Sequence, residues 1–183
     1  MDATIVVVII IALVVVAALA FMLQRQRRSQ ALQQRFGPEY ERAVERSGGR
    51  REAESELSAR ERRRAALDIR ALEPEARDNY LHQWRSTQNR FVDDPAGATA
   101  EADALVANVM RDRGYPIDDF DQRATDISVD HPKVAENYRE AHAISKANTQ
   151  GLTSTDDLRQ AFVYYRALFA ELLETENDPR KEA

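Results

Sequence analysis

The sequence predicts an all-α protein with a single N-terminal transmembrane helix, a helical neck and a compact antiparallel bundle of about four helices. Three observations carry this. The 21 residues from Ala3 to Leu23 hold no charge, and Thr4 is the only polar side chain among them. Beyond that run, stretches of Val and Ile are missing and apolar residues recur at helical spacing. The 6 glycines and 6 prolines fall between the periodic segments rather than within them.

The apolar run comes first. At 1.5 Å per residue a helix of 21 residues spans roughly 31 Å, close to the ~30 Å hydrocarbon core of a bilayer. Its β-branched portion, Ile5 to Ile11, favours a strand in water. In lipid a lone strand leaves backbone groups unpaired at several kcal/mol each, so the helix wins. No Lys or Arg precedes the run, whereas Arg25, Arg27 and Arg28 follow at once and Arg35 lies further on. The positive-inside rule then places the short N-terminus outside and the rest of the chain in the cytoplasm. These four arginines are the expected membrane-surface contacts, and the lipid bilayer is the first expected partner. Ala18-Leu19-Ala20 resembles a small-residue cleavage site and supplies the alternative, a signal peptide and an exported envelope or periplasmic stress protein. The uncharged start and the basic cluster beyond the site favour an uncleaved anchor, residues 1–23.

Charge divides the remainder. Residues 24–64 carry 12 arginines against 7 glutamates, and residues 65–183 carry 14 basic against 23 acidic side chains. The net charge of −5 thus averages a basic neck and an acidic body. There is no cysteine, which excludes disulfides, thiolate metal sites and cysteine nucleophiles. The neck, residues 24–70, is broken near 37–38 by Gly37-Pro38 and near 48–49 by Gly48-Gly49. Its last helix has few apolar positions, Ala53, Leu57, Ala65, Ala66 and Leu67, and a Glu56/Arg60 pair at i, i+4. That pattern reads as a solvated stalk or one partner of a coiled coil.

The body, residues 71–176, starts with Pro74 in the first turn of a helix whose stripe is Leu81, Trp84, Gln88 and Phe91. Asp94-Pro95 starts the next, with Ala102, Leu105, Val109 and Met110 inward and Gly114 as its stop. A short acidic helix follows, from Asp118 to about Ile127. Asp130 reads as the cap of a helix with Pro132 in its first turn and Val134, Tyr138, Ala141 and Ile144 inward, ended by Gly151. Thr153 or Ser154 starts the last helix, with Asp156 and Asp157 in its first turn. Its stripe, Leu158, Phe162, Tyr165, Phe169 and Leu172, is the strongest in the chain. Residues 177–183 read as a disordered tail.

No catalytic constellation is legible, and no cofactor is expected; neither a P-loop nor a G-x-S-x-G elbow is present. Of the three histidines, His131 and His142 share a helix face but lie ~16 Å apart along it, too far for one metal ion. Asp118, Asp119, Asp121 and Asp126 form an acidic cluster, and with His131 they give the metal candidates Asp119, Asp121 and His131. A calcium loop needs a central Gly and a distal Glu that this stretch lacks, so acidic helix start and solvated face is the preferred reading. A metal-binding sensor or hydrolase on residues 118–130 stays as the alternative. Arg60 to Arg64 could meet phosphates, but flanking glutamates and the absence of interleaved aromatics argue against nucleic acid.

Several stretches together resemble a family of uncharacterised bacterial proteins. They are Leu67-Asp68-Ile69-Arg70, Trp84-Arg85, Phe91-Val92-Asp93-Asp94-Pro95, Arg113-Gly114-Tyr115-Pro116 and Ser128-Val129-Asp130-His131-Pro132. The resemblance spans most of residues 67–173. It implies a short hydrophobic N-terminus before one helical domain and brings no assigned activity. The expectation is a non-enzymatic interaction or scaffold module at the inner face of a bacterial membrane, with a protein partner or a second copy of itself.

Overall fold

A computed structural model describes the backbone of residues 3–174 and the side chains of residues 11–174. Among the described residues all regular structure is helical: α1 (Ala3–Phe36), α2 (Pro38–Ser47), α3 (Arg50–Ala65), α4 (Pro74–Arg90), α5 (Pro95–Asp112), α6 (Phe120–Asp130), α7 (Pro132–Asn148) and α8 (Thr155–Leu173). Among them, no helix is long and apolar enough to cross a membrane. The first eight residues of the apolar run, 3–10, have side chains outside that description. The tail expected at 177–183 also lies outside it.

The chain divides into two compact units, Met1–Leu57 and Ser58–Ala183. In the first, α1 runs unbroken from the apolar stretch through Arg25, Arg27, Arg28 and Arg35 to Phe36. Gly37 and Gly48, both at positive φ, then separate the helices where the sequence places its breaks. Leu32, Phe36, Tyr40, Ala43, Ala53 and Leu57 are buried. Ser29 of α1 and Tyr40 of α2 both donate to Glu54 Oε1 of α3, at 2.6 and 2.9 Å. Arg46 and Ser47 reach Glu56 in the same way. Of the two expectations for α3, solvated stalk or coiled-coil partner, the stalk does not hold in this unit, where Ala53 and Leu57 are fully covered.

In the second unit, side-chain caps start α5, α6 and α8. Gly97 N–H donates to Asp94 Oδ1 at 2.9 Å, and Gln122 N–H to Asp119 Oδ1 at 2.8 Å. Ser154 and Asp157 form a reciprocal capping box at α8. α8 is the centre of the unit. It packs on α5 and α7, and α6 packs on α7. Leu158, Phe162, Tyr165, Phe169 and Leu172 are all buried, as the stripe predicts. Trp84 of α4 stacks on Phe169 at 4.6 Å between ring centroids and leans on Phe162 at 5.1 Å.

Four details depart from expectation. The bundle has five helices rather than about four, because α6 buries Ala124, Ile127 and Val129 and so belongs to the core. It is not antiparallel throughout. Thr99 near the start of α5 approaches Leu158 near the start of α8, and Arg113 just past α5 bonds the Leu172 carbonyl near the end of α8, so these two helices run the same way. The fully buried face of α4 is Tyr80, Trp84 and Thr87; Leu81 and Phe91 of the expected stripe pack partly buried against the core, while Gln88 is exposed. Asp130 does not cap α7. His131 occupies that position without a side-chain cap bond, and Asp130 is engaged elsewhere.

Candidate functional site

Two polar clusters are built in the second unit, and neither is visible as a motif. The first joins the arginine run to the acidic stretch. Arg63 Nε donates to Asp126 Oδ1 at 3.1 Å, and Gln122 Nε2 reaches the same oxygen at 2.8 Å. Arg64 is ion-paired to Asp130. Arg60, almost fully buried, donates to Ser128 Oγ at 3.3 Å. Helical spacing accounts for part of the match: positions 60, 63 and 64 share one side of α3, and 126 and 130, four residues apart, share one side of α6. Tyr115 completes the cluster by donating to Asp130 Oδ2 at 2.5 Å. Burial together with that carboxylate pushes the phenol's pKa well up, so it stays a neutral donor.

The linker after α3 is held against the same end of the unit. Arg70 N–H donates to the Arg113 carbonyl at 2.9 Å. Arg113 returns a bond to the Arg70 carbonyl at 3.2 Å and reaches the Leu172 carbonyl at 2.8 Å. Tyr80 donates to Asp112 Oδ2 at 2.6 Å, and burial with that carboxylate raises its pKa to about 12.

The second cluster lies where α5, α6, α7 and α8 meet. Asp103 comes from α5, Phe120 and Arg123 from α6, Tyr138 and His142 from α7, and Tyr165 from α8. His142 Nδ1 faces Asp103 Oδ1 at 3.9 Å, beyond hydrogen-bond length. The Phe120 ring stacks on the His142 imidazole, 3.6 Å between centroids and 10° apart in plane. The Arg123 guanidinium lies over both Phe120 and Tyr138, at 5.5 and 5.9 Å. Tyr138 and Tyr165 are fully buried and meet edge to face at 6.3 Å. Burial drives both phenol pKa values far up, and the Asp103 carboxylate adds to this. Among the described residues, Asp103 Oδ1, Arg123 Nε, His142 Nδ1 and both tyrosine hydroxyls are buried without a hydrogen-bond partner. Such a concentration is unusual, because buried polar atoms in folded proteins are nearly always paired.

The residues singled out as metal candidates are not brought together. Asp119 is the α6 cap, and Asp121 is exposed in the first turn. His131 lies at the far end of that helix, with Nδ1 3.2 Å from Glu171 Oε2. Burial lowers its pKa, against the opposing pull of Glu171. Among the described residues, no group of three His, Asp or Glu side chains could hold a metal ion. Arg25, Arg27, Arg28 and Arg35 lie on the exposed surface of α1 just past the apolar run. The second cluster had only faint signals in sequence. Tyr138 and Tyr165 sit in apolar stripes where a hydroxyl is out of place, and His142 follows Tyr138 by one helical turn. No protein-family model, curated protein or solved structure matches the chain.

Proposed function

We propose that this chain is a single-pass membrane protein that holds a helical interaction module at the inner face of a bacterial membrane. The observation that carries the reading is the character of α1. From Ile11 to Leu23 its large apolar side chains point outward on every side, with Leu13 64 % and Phe21 68 % exposed. A helix that is apolar all round and bare of protein cover is suited to lipid. The same helix continues without a break into Arg25, Arg27 and Arg28, the residues that an anionic leaflet attracts at about 1 kcal/mol each.

The interaction role rests on the body's construction. A helical core of its own, joined to an anchor through α2 and α3, positions a folded surface rather than a membrane-binding one. Its acidic balance, 14 basic against 23 acidic residues over 65–183, is repelled by an anionic leaflet.

Orientation is tested first. A green fluorescent protein fused to the C-terminus should fluoresce, and alkaline phosphatase fused there should stay inactive. The reverse pattern, or a mature N-terminus at Phe21, overturns the anchor reading in favour of export. Crosslinking in native membranes with mass spectrometry then tests the interaction role. Recovery of the monomer alone counts against it.

A further inference from the structure

We propose that Arg63 and Arg64 form an exchangeable latch, closed on Asp126 and Asp130 of α6 and released to the clustered phosphates of an anionic leaflet. This deepens the interaction role above and rests on the anchor reading, which supplies the leaflet. Each carboxylate has two donors of different origin. Asp126 Oδ1 accepts from Gln122 Nε2 at 2.8 Å and from Arg63 Nε at 3.1 Å. Asp130 Oδ2 accepts from the Tyr115 hydroxyl at 2.5 Å and from Arg64. Gln122 lies on α6 itself and Tyr115 just before it, and only the arginines arrive from α3. When the arginines leave, each carboxylate keeps a donor and neither is stranded.

The arginines have an equally good alternative. The Arg63 side chain is 47 % exposed and Arg62 beside it is exposed, so this turn carries its charge at the water boundary. A guanidinium pairs with phosphate as well as with carboxylate, through the same fork of N–H donors. The turn also lies between two fixed points. Before it, Arg60 is almost fully buried and reaches Ser128 Oγ. After it, Arg70 and Arg113 exchange two bonds, and Ile69 and Leu72 pack on the core. Residues 61–67 therefore change partner while the rest of the body stays folded. Ala65 and Ala66 are exposed and add no apolar contact that resists the exchange. Release bares the end of α6, so leaflet charge sets whether Asp126 and Asp130 are open to a partner.

The test uses the full chain with spin labels at Ala65→Cys and Ala143→Cys, both exposed positions in a chain without cysteine of its own. The chain is placed in nanodiscs of phosphatidylcholine alone, or of phosphatidylcholine mixed equally with phosphatidylglycerol. Double electron-electron resonance reads the label separation. Phosphatidylcholine discs should give one narrow distance. Phosphatidylglycerol should add a second population and raise its ratio to the first about tenfold. Inorganic phosphate added to phosphatidylcholine discs should leave the single distance in place. Arg63→Gln combined with Arg64→Gln should show the second population equally in both lipids, with Trp84 emission unchanged. If that variant does not fold, the lipid dependence of the parent chain decides. The same distances in both lipids, release by inorganic phosphate, or a lipid dependence that survives the double substitution overturns the latch alone. A chain that does not co-elute with the discs overturns the anchor reading, and the latch with it.

Discussion

Arg64 and Asp130 are 66 positions apart in sequence and form one ion pair, with the Tyr115 hydroxyl bonded to the same carboxylate oxygen. The pair fastens the end of α3 to the end of α6. The two side chains are only 24 % and 19 % exposed, so water screens the interaction incompletely. Asp130→Ala removes both bonds and strands a buried phenol and a guanidinium. It should cost about 3 kcal/mol, against about 1 kcal/mol for Arg64→Ala. A double-mutant cycle by denaturant unfolding checks the coupling, and strictly additive costs would show that the pair contributes nothing.

Much of the architecture is readable residue by residue. Asp94-Pro95 and Ser154 with Asp157 start helices through bonds that reach only three residues along the chain, so the signal and its effect are local. The α8 stripe is equally local in its period. What escapes is pairing at a distance. Arg60 to Arg64 and Asp126 to Asp130 each resemble a solvated charge run when read alone, and only the fold shows that they neutralise one another. Asp130 precedes a proline helix and looks like a cap, but the arginine and tyrosine outcompete the free backbone N–H groups for its oxygens. The second cluster draws on four helices, and no spacing within one of them encodes it.

Gly114 offers a sharp test of how the linker is held. Its φ is +97°, and a Cβ there would collide with the backbone carbonyl of Asp68. Gly37 also has positive φ, but an added Cβ would meet nothing within 4 Å. Gly37→Ala should therefore carry only conformational strain, about 1 kcal/mol, whereas Gly114→Ala should cost roughly 3 kcal/mol or more. Equal melting temperatures for the two variants would contradict the close packing of the linker on the α5–α6 turn.

His131 ties stability to pH. Burial lowers its pKa from the ordinary 6.5, so the unfolded chain takes up a proton at a pH where the folded chain does not. Stability attributable to the neutral imidazole is therefore complete above about pH 6.5 and declines as pH falls below it. His131→Gln should flatten the slope of melting temperature against pH just below about 6.5, where the unfolded imidazole takes up its proton, while leaving the carboxylate-driven loss at lower pH. An unchanged slope would mean that His131 gains a compensating partner when protonated, and Glu171, 3.2 Å from Nδ1, is the candidate.

The tyrosines separate paired from unpaired hydroxyls. Tyr115 and Tyr80 donate to Asp130 and Asp112 at 2.5 and 2.6 Å. Their Phe variants leave a carboxylate short of a donor and should cost about 1–2 kcal/mol each. Tyr138 and Tyr165 hold hydroxyls without partners among the described residues. Their Phe variants remove a desolvated polar atom and should be neutral or mildly stabilising, within about 1 kcal/mol. Thermal unfolding of the four variants side by side decides the matter. A large loss in Tyr165→Phe would show a bond to Asp103 stronger than the geometry allows.

The single tryptophan gives the fold its own probe. Trp84 is 6 % exposed and lies between Phe162 and Phe169, with Phe91 touching Phe162 at 4.8 Å. Its native emission should be blue-shifted and should move to the red as α4 separates from α8. Phe169→Ala opens a void beside the indole in a core that cannot collapse easily around two large rings, and should cost about 3–5 kcal/mol. Phe162→Ala breaks contacts with both Trp84 and Phe91 and should cost as much. Val92 lies on the turn between α4 and α5 and is 82 % exposed. Val92→Ala should stay within about 0.5 kcal/mol of the parent. If urea unfolding monitored at Trp84 gave the same midpoint for all three variants, the α4 aromatic stack would not be what binds this helix to the bundle.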